Sequence, residues 1–342
     1  MDMPDALLAI TLLWIFVFIY AVAATIDFGA GFWSMIYLGR RQMRATKIAN
    51  RYLSPSWEVT NVFIVLIIVA LVSFFPGATY TLGTVLLIPG SFVILLLALR
   101  SAYLVFSHTA KDYERVLTYI SGISGFLIPG LLILILPISH GGYIETIDGT
   151  GQLSIGALVT SWSTYAFVAF AISSTLFLSS LLLCDYSNVA NDDEAFQIYK
   201  RDAQMIGPIV LLSAFFIMLA IRMEAYWLYE NMMEQINWLI ASIVVFMIGY
   251  GVLWLKKPIP RLAVLGIVVQ YLLASYAYGV SHLPYIVYPS VTIESGFTHP
   301  SMFRALFVSY IVGFAILIPG FIYFWRLFMK DRRYIKSGEP DS

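Results

Sequence analysis

The sequence predicts an all-α integral membrane protein of about nine transmembrane helices, with the N-terminus outside and the C-terminus in the cytoplasm. Three observations carry this: the composition, a series of long apolar runs, and the placement of basic residues between them. Of 342 residues, 60% are apolar and only 12% charged, against about 25% charged in soluble domains. A soluble fold of this size leaves much of its surface in water and could not hide so much apolar material. A bilayer removes the conflict by acting as the solvent. The 22 Tyr and 8 Trp suit the two membrane interfaces.

A span needs about 20 mainly apolar residues to cross roughly 30 Å of hydrocarbon. Such runs fall near 6–37, 58–76, 79–107, 115–138, 155–184, 203–222, 236–255, 260–282 and 302–329. Helices are expected, because backbone polar groups must be satisfied inside lipid and no strand alternation is visible. The stretch 58–107 is split by Pro76-Gly77. Leu-Ile-Pro-Gly recurs at 87–90, 127–130 and 317–320 without a fixed period, which predicts kinks within spans rather than a duplication.

Basic residues fix the orientation. Arg40, Arg41, Arg44, Lys47 and Arg51 follow the first run, and Lys111 and Arg115 follow the third. Lys200 and Arg201 follow the fifth, and Lys256, Lys257 and Arg261 the seventh. Arg326, Lys330, Arg332, Arg333 and Lys336 end the chain, so 17 of the 20 Lys and Arg share one side. Positive residues mark the cytoplasm.

No loop is long enough for a soluble domain, so residues 1–342 read as one transmembrane unit. Asn191-Asp-Asp-Glu194 fits a helix N-cap. A formal net charge of zero argues against nucleic acid as a partner. The single cysteine, Cys184, excludes an intrachain disulfide and a thiolate-rich metal site. Asp2 and Asp5 precede a first run too long for a signal peptide, so that helix is expected to be retained.

Ionisable groups within spans are the candidates for chemistry, since each is costly in hydrocarbon. Asp27 lies deep in the first run, in Thr25-Ile-Asp-Phe-Gly-Ala-Gly31. It suits either a proton or ion route, or a structural pairing with a neighbour such as Arg100 of the third run. Gly29 and Gly31 would allow close approach of another helix. Glu58 opens the second run after Ser54-Pro-Ser-Trp57. It suits either a first-turn acid on the helix dipole or a proton relay. Of the histidines, His108 and His282 stand at span ends and His140 and His299 in outer loops, so none is placed for an intramembrane haem. Cys184 and Asp185 are expected at the cytoplasmic interface, and Pro284–Pro289 as an ordered outer segment.

The motifs Thr25-x-Asp-Phe-Gly-x-Gly31, Leu-Gly-Arg40 and Ser-Pro-Ser-Trp57-Glu58, with the segment around Pro284 and Pro289, resemble subunit II of the bd-type quinol oxidases. That resemblance implies two helical bundles plus one additional helix in the cytoplasmic membrane of a prokaryote. It implies a partner, subunit I, that carries two haems b and one haem d, with quinol as substrate of the complex. It allows for a small single-helix subunit and membrane lipid as further partners. This chain would bind no cofactor or metal and hold no catalytic residue. Glu58 and Asp27 would serve a proton pathway, and Trp57 would anchor the subunit contact and retain haem. The chain departs from the family in having one acid where some members have two, and Glu where many have Asp at position 58. A secondary transporter using Asp27 and Glu58 as coupling carboxylates is the alternative, though nine spans divide poorly into inverted halves. A scaffold with both acids as caps is a third reading.

Overall fold

The computed structural model describes residues 3–39, 43–106, 113–147, 150–255 and 257–329. Apolar sequence crossing a low-dielectric layer satisfies its backbone internally, and fourteen helices account for nearly all of the described residues. The first six are α1 (Met3–Tyr37), α2 (Met43–Phe74), α3 (Pro76–Val85), α4 (Leu87–Phe106), α5 (Glu114–Leu132) and α6 (Ile135–Ser139). After a hairpin of β1 (Ile144–Ile147) and β2 (Thr150–Leu153) come α7 (Ile155–Thr160), α8 (Trp162–Ala190), α9 (Asp193–Glu224), α10 (Tyr226–Glu234), α11 (Ile236–Gly251) and α12 (Pro260–His282). A second antiparallel hairpin, β3 (Tyr285–Val287) with β4 (Val291–Thr292), leads through α13 (Ile293–Gly296) to α14 (Pro300–Met329).

Among the described residues, seven helices are long and apolar enough to cross a membrane, and α3 with α4 forms an eighth candidate bent by 81°. The apolar part of α2, Thr60–Phe74, is shorter. Several boundaries differ from the sequence expectation. α2 begins at Met43 rather than near 58, because its polar first half continues the same helix. The first Leu-Ile-Pro-Gly stands at the start of α4, at the 81° bend between α3 and α4, and Pro129 and Pro319 lie inside α5 and α14. The run 155–184 breaks at Ser161, which is extended and caps α8.

Local chemistry explains the ends. Asn191 takes φ 57 and closes α8, a conformation that Asn tolerates. Asp192 then accepts from the Ala195 N–H at 3.1 Å and opens α9, as the acidic run predicts.

α1 runs through the middle of the molecule, packing on α2 and α5 on one side and on α8 on the other. α8 pairs along its length with α9, and α11 with α12. α14 lies outermost, with almost none of its apolar length buried. Phe303 anchors it among Phe74, Phe297 and Phe307.

Candidate functional site

The most highly charged buried feature lies where α1, α4 and α5 meet. Arg100 of α4 is 1% exposed, and its Nη2 donates to Asp27 Oδ1 of α1 at 2.9 Å and to the Asp27 carbonyl. Its Nη1 donates to the Ser121 carbonyl at 2.7 Å and to Ser121 Oγ at 2.9 Å. The guanidinium lies 5.6 Å from the Phe28 ring centre. Nε has no partner. Asp27 is thus paired with Arg100, which matches the structural one of the two readings that the sequence allowed.

Glycines make this junction possible. A Cβ on Gly31 would stand 2.7 Å from both Arg100 Nη1 and Ser121 Oγ, and one on Gly125 would meet the Phe28 carbonyl. On the opposite face of α1, a Cβ on Gly29 would collide with the Ser179 side chain of α8. Ser179 Oγ receives the Trp33 indole N–H at 3.0 Å. The motif Asp-Phe-Gly-Ala-Gly therefore seats one helix against three.

Trp57 and Glu58 belong to α2, but their side chains lie outside the described residues. His108 lies outside them altogether. Cys184, expected at the interface, is fully buried between α8 and α9, because α8 extends six residues beyond it. Asp185 does face water and pairs with Arg261 at 3.2 Å.

Three polar clusters escaped the sequence reading. Tyr37 donates to Asp202 Oδ2 of α9 at 2.6 Å, with Asp202 buried. Glu224 accepts from the Trp162 and Ser163 N–H groups at 2.8 and 3.1 Å, from Ser161 Oγ at 2.6 Å and from Tyr143 at 3.0 Å, so it caps α8. His140, placed by sequence in an outer loop, is 3% exposed and lies tilted beside His282, with ring centres 5.8 Å apart. Its Nε2 meets the Tyr278 hydroxyl while Nδ1 has no partner. Burial, reinforced by His282, holds the His140 pKa well below the usual imidazole range. His282 uses both ring nitrogens, toward Ser139 Oγ at 3.1 Å and the Tyr285 carbonyl at 2.8 Å. With Trp227 stacked 4.5 Å from Tyr288, this cluster pins the Pro284–Pro289 segment. Loop position alone gave no signal of such burial.

Three of the four ring nitrogens of these imidazoles have protein partners, and the rings are packed by Phe167, Tyr278 and Trp227. Among the described residues no group of three or more His, Cys, Asp or Glu could hold a metal ion.

Comparison with known proteins gives a consistent result. The family model for cytochrome bd terminal oxidase subunit II matches residues 5–328. A Bacillus subtilis (strain 168) protein, provisionally named a cytochrome bd menaquinol oxidase subunit II, is 59% identical over 342 residues, or 98% of this chain and 99% of its own. The solved bd oxidase structure from Geobacillus thermodenitrificans includes a chain that superposes with a TM-score of 0.84 at 34% identity, covering 96% of this chain and all of that one. The motifs around Asp27 and Glu58 had pointed the same way, and the match now extends over almost the whole sequence: this multi-pass membrane chain belongs to the cytochrome bd terminal oxidase subunit II family.

Proposed function

We propose that this chain is the haem-free partner subunit of a quinol:dioxygen oxidoreductase in the cytoplasmic membrane, stabilising a larger subunit I that carries two haems b and one haem d. The observation that carries the reading is the 59% identity over essentially full length to a menaquinol oxidase subunit II. That relative's name favours menaquinol as the electron donor. In the complex, quinol electrons reduce oxygen to water with protons drawn from the cytoplasm. Placing the haems in the partner follows from the family reading, and the use of three of the four ring nitrogens of His140 and His282 within this chain accords with it. The transporter alternative gains nothing from the comparisons.

Nine spans with the N-terminus outside form part of this proposal. Arg304 at the start of α14 pairs with Asp5 at the start of α1, at 2.9 Å. Two helix starts on one face require an even number of crossings between them. Counting α2 and the bent α3–α4 pair as one crossing each gives eight before α14, which accords with that parity.

Within the chain, Glu58 is the relay carboxylate of the proton pathway and Trp57 the anchor at the subunit contact. Asp27 contributes a negative charge to that route from a fixed position, since Arg100 holds it. Gentle-detergent purification of the tagged chain, with an optical spectrum and mass spectrometry, tests the assembly. A larger haem b/d subunit is expected to co-purify, and a colourless chain alone would sink the reading. In the assembled complex, Glu58→Gln should slow oxygen consumption and proton uptake together; unchanged rates remove Glu58 from the path.

A further inference from the structure

Asp202 is a second buried acid, and no part of the proposed function uses it. It lies on α9 directly after Lys200 and the exposed Arg201, nine residues beyond Asp193, or about 14 Å along the helix. It is thus, among the acids whose side chains are described, the first one buried from the end where the basic loops gather. Yet it is 5% exposed, and its partner Tyr37 belongs to an apolar cluster with Trp33 of α1, Ala45 and Ile48 of α2 and Cys184 of α8.

Its hydrogen bonding is sparse. Tyr37 donates to Oδ2 at 2.6 Å. Tyr199, whose ring meets Tyr37 edge-on, gives its own hydroxyl to the Ala45 carbonyl at 2.7 Å. Arg201 is exposed and acts on Asp202 only through space, and the other charged groups nearby are turned elsewhere. Arg44 of α2 pairs with Glu194 at 3.6 Å, Lys47 is exposed, Asp185 of α8 pairs with Arg261, and Asp192 caps α9. Among the described residues no ion pair reaches Asp202. An ionised carboxylate accepts at about four positions and is costly to bury with one donor. The acid form needs fewer partners, and a tyrosine hydroxyl can either donate to it or accept from it. The pair can therefore hold a proton or release one with little rearrangement.

We propose that Asp202, hydrogen-bonded by Tyr37, is a proton-loading carboxyl on the cytoplasmic edge of this subunit. It takes a proton from cytoplasmic water as electrons enter the complex, and gives it up as those electrons reduce oxygen. Loading forms one O–H bond on the Asp202 carboxylate and breaks one on a hydronium ion, with no redox change at the site. This inference rests on the oxidase reading and adds a residue to its proton supply.

The test uses the purified complex, wild type against Asp202→Asn and Tyr37→Phe. Reduced-minus-oxidised infrared spectra in H2O and D2O are recorded with proton uptake on reduction, read by an indicator dye. A carboxylic C=O band that shifts in D2O should appear on reduction and be lost in Asp202→Asn, together with part of the proton uptake, at unchanged haem content. Tyr37→Phe should keep the band and shift its frequency. Asn accepts the Tyr37 hydrogen bond, so a purely structural role predicts wild-type bands and uptake in Asp202→Asn, and that result overturns the proposal. If Asp202→Asn does not assemble, the Tyr37→Phe shift decides, and an unshifted spectrum overturns the proposal. Failure of the oxidase reading shows separately, as a wild-type chain without a haem-bearing partner.

Discussion

The two sides of α1 bury polarity in different ways. Toward α4 and α5, a full positive and a full negative charge meet, with four hydrogen bonds from one guanidinium. Among α8, α9, α11 and α12, Asp202 apart, the buried polar contacts join neutral groups. Ser173 meets Ser213 at 3.2 Å, Gln270 meets Ser242 at 3.2 Å, and most hydroxyls also return to a carbonyl three or four residues back. The charged junction is strong only when complete, because removing either partner strands a charge. The neutral seam is redundant, since a serine that loses its neighbour still has its own helix carbonyl. Geometry that has to be exact therefore sits on the side of α1 where the family motif lies.

The comparison can be broken most forcefully at Arg100. Arg100→Met leaves Asp27 buried and unpaired, at an expected cost of about 3–5 kcal/mol, whereas the double change with Asp27→Leu should recover much of it. Thermal midpoints of the purified complex check this, and equal losses in the single and double variants would refute the charge argument. A middle-sized effect comes from acid, at the His140–His282 cluster beyond the ends of these helices. Burial keeps His140 neutral, so the unfolded chain binds a proton that the folded one does not. Stability is then lost as pH falls below the ordinary imidazole value of 6.5, by up to about 1.4 kcal/mol per pH unit, and is level above it. His140→Gln should flatten that acid limb in a pH series of unfolding midpoints. The smallest effect belongs to the neutral seam. Ser213→Ala should cost about 0.6 kcal/mol, the average for hydrogen bonds between membrane helices, and a loss near that of Arg100→Met would erase the contrast.

How much of this was legible in the sequence follows the same division. Hydropathy located the helices, and a charge in the middle of an apolar run identified Asp27 and Arg100, because nothing else explains such residues there. Asp202 was masked by its neighbours: beside Lys200 and Arg201 it reads as part of a wet interface, and only the packing of α1 over it reveals burial. Glu224 drew no notice in the sequence because its partners, Ser161 and Ser163, are about sixty residues away. His140 shows that a loop residue is buried by what folds over it, which no local pattern reports. Trp57 and Glu58 were singled out by motif, and their side chains lie outside the described residues.

The Arg100–Asp27 pair also bears on how the chain enters the membrane. Each arginine near the centre of a helix costs about 2.5–3.5 kcal/mol on insertion, and α4 carries one next to a sharp bend. Asp27 belongs to α1, which leaves the ribosome first, so the carboxylate is already in the bilayer when Arg100 arrives. Insertion of the α3–α4 segment is thereby made conditional on its predecessor. A chain stripped of α1 should leave that segment stranded at the surface, whatever its hydropathy promises.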